Sequence, residues 1–179
     1  RRQRQMCIRD RLKQSDEPSV NFVAEEFVEG TMINLFYQQG ESESDEGEWE
    51  MSTRSTVGAK ISFYQREEGG RKTFRTMFLE AMIECGLEFS NLNQDYCYSF
   101  VLQHPENRIV CPIVNSQLYL VAVYKIHQGD IVKSEGGTGI QIEQIHSVPE
   151  FISTTGVKQP SVLSETSVSE LKYQHASMN

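Results

Sequence analysis

The chain has 179 residues, 38% of them hydrophobic and 23% charged, which is enough apolar material for one core. A formal charge of −8 excludes a binder that holds nucleic acid or an anionic membrane through a surface that is basic throughout. No apolar run approaches the ~20 residues of a membrane helix and no secretory pattern is read, so the expectation is a cytoplasmic monomer with no membrane partner.

The opening Arg1 to Arg11 resembles a translated sequencing adapter, so residues 1–11 are kept out of the fold reading as non-native; the alternative is a basic arm that binds nucleic acid. With its five Arg and one Asp set aside, 12 Lys+Arg face 24 Asp+Glu, a balance of −12. Any contact with a polyanion then has to be local, through a few placed cations. Residues 12–25 are polar and read as irregular.

The core is expected over residues 26–126. Its first strand is 31–37, where Ile33, Leu35 and Tyr37 share one face and Met32, Asn34 and Phe36 the other. An acidic, glycine-flanked loop follows at 38–48. Trp49, Met51 and Thr53 then alternate with Glu50 and Ser52, so residues 30–54 form an antiparallel hairpin. A hydroxyl-rich segment with Gly58 leads to a strand-like run at 61–65 and a second loop at 66–72.

Thr73 is a good N-cap for a helix over 73–85, and Gly86 a good terminator. Phe74, Met77, Phe78, Ala81 and Met82 recur at the spacing of a core-facing stripe, a better reading than a ligand wall. Tyr96 to Leu102 reads as a strand, His104-Pro105-Glu106-Asn107 as a turn, and 107–112 as a returning strand. The apolar run 117–126 reads as a central strand buried on both faces. Residues 127–179 read as a loop-rich extension broken by Gly and Pro, closed by a short helix over 164–175. Gly136-Gly137-Thr138-Gly139 lacks the G-K-[ST] of a phosphate loop.

Cys85, Cys97 and Cys111 have no C-x-x-C spacing and read as reduced core thiols, and the four histidines lack metal-ligand spacing, so no structural zinc is expected. Arg108 at a strand start is compatible with a phosphate contact or with an ordinary surface charge.

The string Ser99-Phe100-Val101, followed by Pro105-Glu106-Asn107-Arg108-Ile109-Val110, resembles the third nucleotidyltransferase motif of phage-type ATP-dependent RNA ligases. The resemblance covers about residues 26–126. It implies an α+β fold of antiparallel sheets with packed helices, a nucleotidyltransferase (ATP-grasp-like) core that here is incomplete at the C-terminus because two later motifs are missing. It also implies ATP and Mg²⁺ as cofactors, ATP or AMP and RNA ends as partners, and joining of RNA ends through lysyl-AMP and adenylated RNA.

Carried over residue by residue, the first motif, K-x-x-G, falls on Phe27-Val28-Glu29-Gly30 with Thr31 after it, so Phe27 stands where the nucleophilic lysine belongs. A phenyl ring has no lone pair with which to attack a phosphate. The next motif, S-[KR]-x-[ST], is matched by Ser52-Thr53-Arg54-Ser55-Thr56, in which Arg54 offers a planar fork to phosphate or ribose and Ser55 a hydroxyl. In the third motif Ser99 replaces a glutamate, leaving a hydroxyl for a ribose and no charge for a metal. The nucleotide-binding set implied is Glu29, Gly30, Thr31, Arg54, Ser55 and Ser99, with Lys60 and Arg108 as further phosphate contacts and no catalytic or metal-binding residue. The alternative is a non-catalytic relative that binds a nucleotide or an RNA end.

Overall fold

The computed structural model describes residues 24–40, 46–61, 72–107, 110, 112–128 and 140–163. In chain order the elements are β1 (Ala24–Glu25), β2 (Thr31–Gln38), β3 (Glu48–Ser52), α1 (Phe74–Cys85), a 3₁₀ turn (Phe89–Asn91), β4 (Tyr96–Gln103), β5 (Gln117–Gln128), β6 (Ile140–Ile145), α2 (Phe151–Thr154) and β7 (Val162–Leu163). Two units are distinguished, residues 28–160 and, among the described residues, 24–27 with 161–163. In the latter, β1 pairs antiparallel with β7, and the Glu26 carboxylate accepts from the backbone N–H and hydroxyl of Ser161 at 3.2 and 2.9 Å. Ala24 and Glu25, read as irregular, are thus a short strand.

The larger unit is one antiparallel sheet of order β3-β2-β4-β5-β6, consistent with an α+β fold. Strand alternation decides what each face carries. Ile33, Leu35, Met51, Phe100, Leu102 and Leu118 are fully buried on one face, where α1 lays down Phe74, Met77, Phe78, Ala81 and Met82. Phe78 meets Phe100 edge to face at 5.6 Å between ring centroids. The helix starts where Thr73 Oγ1 accepts from the Thr76 N–H, and it stops at Gly86, whose φ of 66° is left-handed.

Three expectations are corrected. No hairpin joins 96–102 to 107–112: β4 is bonded on both sides, to β2 and to β5, and residues 107, 110 and 112 are not in a strand. Pro105 and Pro112 lack the N–H that a ladder needs. Nor is β5 buried on both faces. Val121 is an extra residue against the Ser99/Phe100 step, so the core-facing phase moves from Leu118 and Leu120 to Val123, and an apolar run results without two covered faces. Finally, the stretch read as loose beyond residue 127 contains β6, α2 and a parallel bridge from Lys158 to Tyr119 that extends the β5 edge. The expected strand at 62–65, the helix at 164–175, Cys111 and residues 1–11 lie outside the described residues. Cys85 and Cys97 are free thiols, both raised in pKa by burial. Among the described residues no helix is long and apolar enough to cross a membrane.

Candidate functional site

Glu29, Gly30 and Thr31 enter the sheet where β2 begins beside the end of β4. A Cβ on Gly30 would lie 2.6 Å from both the Leu102 carbonyl oxygen and Val101 Cγ1, and φ there is +152°. Close packing of two backbones therefore accounts for the glycine without any ligand. The segment after β4 holds this entry in place. Gln103 Nε2 donates to the Glu29 carbonyl at 2.9 Å, the Val110 N–H to the Glu29 carboxylate at 2.7 Å, and Asn107 Nδ2 to Thr31 Oγ1 at 2.8 Å. Asn107 and Thr31 are both buried. Asn107 was already visible in the Pro-Glu-Asn-Arg string, but nothing in the sequence pairs it with Thr31.

Arg54 and Ser55 sit on the tight turn that follows β3. There the Thr53 N–H donates to the Thr56 carbonyl at 2.9 Å and Ser52 bridges to Val57. Since Asn34 pairs with Ser52, this turn lies at the same end of the sheet as Gly30. Arg54 is exposed and has no ion-pair partner among the described residues. Lys60 is exposed too, beyond Ala59, a buried residue at φ 50°. Nearby, Arg75 reaches Glu50 at 2.5 Å, and the Met51 N–H first, then this guanidinium, hold the Glu50 carboxyl below the usual carboxylate range.

Ser99 does not share a face with Thr31. It pairs across the ladder with Asn34, on the face away from α1, and donates its hydroxyl to Asn34 Oδ1 at 2.8 Å. Thr31 pairs with Leu102 and turns toward the helix. The sheet thus brings Gly30 and Arg54 to one end but divides the two hydroxyls between its faces. Arg108 lies outside the described residues. Phe27 is 97% exposed.

Behind the Asn107 turn lies a polar network that sequence reading did not find. Buried His104 contacts Glu80 at 3.0 Å, and Lys72 bridges Glu80 at 2.8 Å and Glu106 at 2.9 Å. These two carboxylates, Glu80 foremost, push the Lys72 amine up to about 12. The network fastens the turn to α1, and through Asn107 it fixes Thr31.

The donor sets fit the two implied cofactors differently. Of the residues implied for phosphate, Arg54 and Lys60 are exposed cations, the kind of donor a triphosphate requires. For Mg²⁺ the fit fails at Ser99, where the available oxygens are a hydroxyl and an amide already bonded to each other and no carboxylate joins them. Among the described residues no group of three His, Cys, Asp or Glu could hold a metal. A cleft of about 390 Å³ opens at the opposite end of the sheet, between Phe36, Tyr96 and Lys125, away from all of these residues.

Comparison with known proteins adds one relative, a protein named RNA ligase from Rhodothermus phage RM378, 26% identical over 145 residues. The match takes in 78% of this chain and 31% of that protein, so the chain spans about a third of its relative's length. The similarity supports a relationship to RNA ligases. No family model matches the chain, and no solved structure does.

Proposed function

We propose that the chain is a segment of an RNA ligase-like nucleotidyltransferase, and that this segment binds a nucleotide or RNA end at the Gly30–Arg54 end of the sheet without forming lysyl-AMP. In the complete protein the reaction class would be ATP-dependent joining of RNA ends. The observation that carries the reading is that Arg54, exposed and without an ion-pair partner among the described residues, stands at the same end of the sheet as the Glu29–Thr31 entry, in a chain similar to a phage RNA ligase. A guanidinium with no carboxylate partner keeps all its donors for a phosphate.

The departure at Phe27 favours binding over catalysis. Adenylation needs an amine to attack the α-phosphate and displace pyrophosphate, and a phenyl ring supplies none. Incubation with α-labelled ATP and Mg²⁺, followed by denaturing electrophoresis, tests this. No labelled protein is expected. A covalent AMP adduct on Lys60 or any other lysine would overturn the reading and make this segment catalytic by itself.

A further inference from the structure

The cleft at the far end of the sheet belongs to none of the residues discussed above. It forms where β2 and β5 end and β4 begins, so side chains from both faces reach its rim: Phe36 and Cys97 from the open face, Tyr96 and Lys125 from the core face. Its volume of about 390 Å³ is within the range of small-ligand sites.

Three features of its wall have no internal use. Phe36 is half-buried on the open face and has no ring partner among the described residues, whereas the neighbouring Tyr37, Tyr96 and Tyr98 all pack against other rings. Lys125 is half-buried and makes no ion pair among the described residues, although Glu143 stands opposite it in the ladder; Glu143 bonds to His127 instead, at 3.0 Å. Gln39 and Gln94 project amides that have no hydrogen-bond partner among the described residues. Asp95, also at the rim, uses only its backbone N–H, which donates to Asn93 Oδ1 at 2.9 Å.

We propose that this cleft takes one unstacked nucleobase of a single-stranded RNA. A free aromatic face supplies stacking, amide and carboxylate groups meet the donors and acceptors of a base edge, and one ammonium meets the adjoining phosphate. A strongly negative molecule engages RNA through such a point contact, since its surface as a whole repels the backbone. The site lies at the other end of the sheet from Gly30 and Arg54, so it would hold a strand at a distance from the nucleotide end. Taking RNA as the ligand rests on the RNA ligase-like reading, while the base-binding chemistry rests on the cleft.

The test uses a fluorescein-labelled RNA hexamer with a 5′-hydroxyl, in buffer without Mg²⁺ or ATP, so that no ligation chemistry enters. Anisotropy measures binding. Trp49, the single tryptophan, reports location, because its ring lies 5.5 Å from that of Tyr37 in the cleft wall. Saturable binding with a change in Trp49 emission is expected, weakened at least about tenfold by Lys125→Glu and less by Arg54→Ala. The exposed pair Gln39→Ala and Gln94→Ala gives a second variant with little risk to folding, and it too is expected to weaken binding. Absence of binding, or binding that ignores both variants, overturns the cleft assignment and leaves the Arg54 reading intact. Binding lost in Arg54→Ala and kept in Lys125→Glu moves the RNA to the other end of the sheet and overturns it as well.

Discussion

At the scale of single residues, the entry to β2 is where sequence motif and packing give competing reasons for the same amino acids. Gly30 falls where the resemblance to RNA ligases puts the end of a motif, yet the Leu102 carbonyl, 2.6 Å from where a Cβ would sit, already forbids any other residue. Gly30→Ala is therefore expected to destabilise the fold, by more than the roughly 1 kcal/mol of a simple glycine replacement, because backbone has to shift. Urea unfolding checks this. Thr31 is likewise committed to Asn107, and Asn107→Ala, which leaves a buried hydroxyl unpaired, is expected to cost about 1–3 kcal/mol. The lowered Glu50 and Glu80 carboxyls give stability that is complete above the ordinary carboxylate range and lost as pH falls through their depressed folded values. The raised Lys72 works in the opposite sense: its contribution is complete below the ordinary lysine value of 10.5 and fades as pH rises through about 12. Unfolding midpoints across acid and alkaline pH are expected to fall at both ends, with Glu50→Gln flattening only the acid side and Glu80→Gln both.

At the scale of elements, what was legible in the sequence was what local periodicity encodes. The alternation of Ile33 and Leu35 with Met32 and Asn34, the stripe of Phe74, Met77, Phe78, Ala81 and Met82, and the caps Thr73 and Gly86 all appear in the structure at the expected places. What failed depends on partners distant in sequence. A strand such as β4 carries no mark of which neighbours will bond it, and the Val121 bulge turns a one-sided strand into an unbroken apolar run. β6 was missed because its apolar residues keep no period-two face: Ile142 and Ile145 are three apart and fall on opposite sides of an edge strand otherwise made of glutamines and a glutamate. The helix prediction is quantitative: Phe78→Ala is expected to cost about 3–5 kcal/mol and Thr73→Ala about 1 kcal/mol, read from denaturant midpoints. Equal effects from the two would mean that α1 is not the cover of the core face.

At the scale of the whole molecule, the candidate site was only partly legible. The motif spacing placed Gly30 and Arg54 at one end of the sheet, because a hairpin fixes which strand ends meet. It could not say that Ser99 and Thr31 would face opposite ways, which follows from the β2–β4 register, nor that a cleft would open at the far end of the same sheet. Chain-wide acidity makes any phosphate contact depend on single cations, so one substitution should be decisive. The most direct measurement is therefore equilibrium binding of labelled ATP to the wild-type chain and to Arg54→Ala, in low-salt buffer. Weak, saturable binding that falls at least about tenfold in Arg54→Ala, with Lys125→Glu unchanged, is the predicted result. Binding that Arg54→Ala leaves intact, or no binding to the wild-type chain at all, would contradict the placing of the nucleotide at the Gly30–Arg54 end.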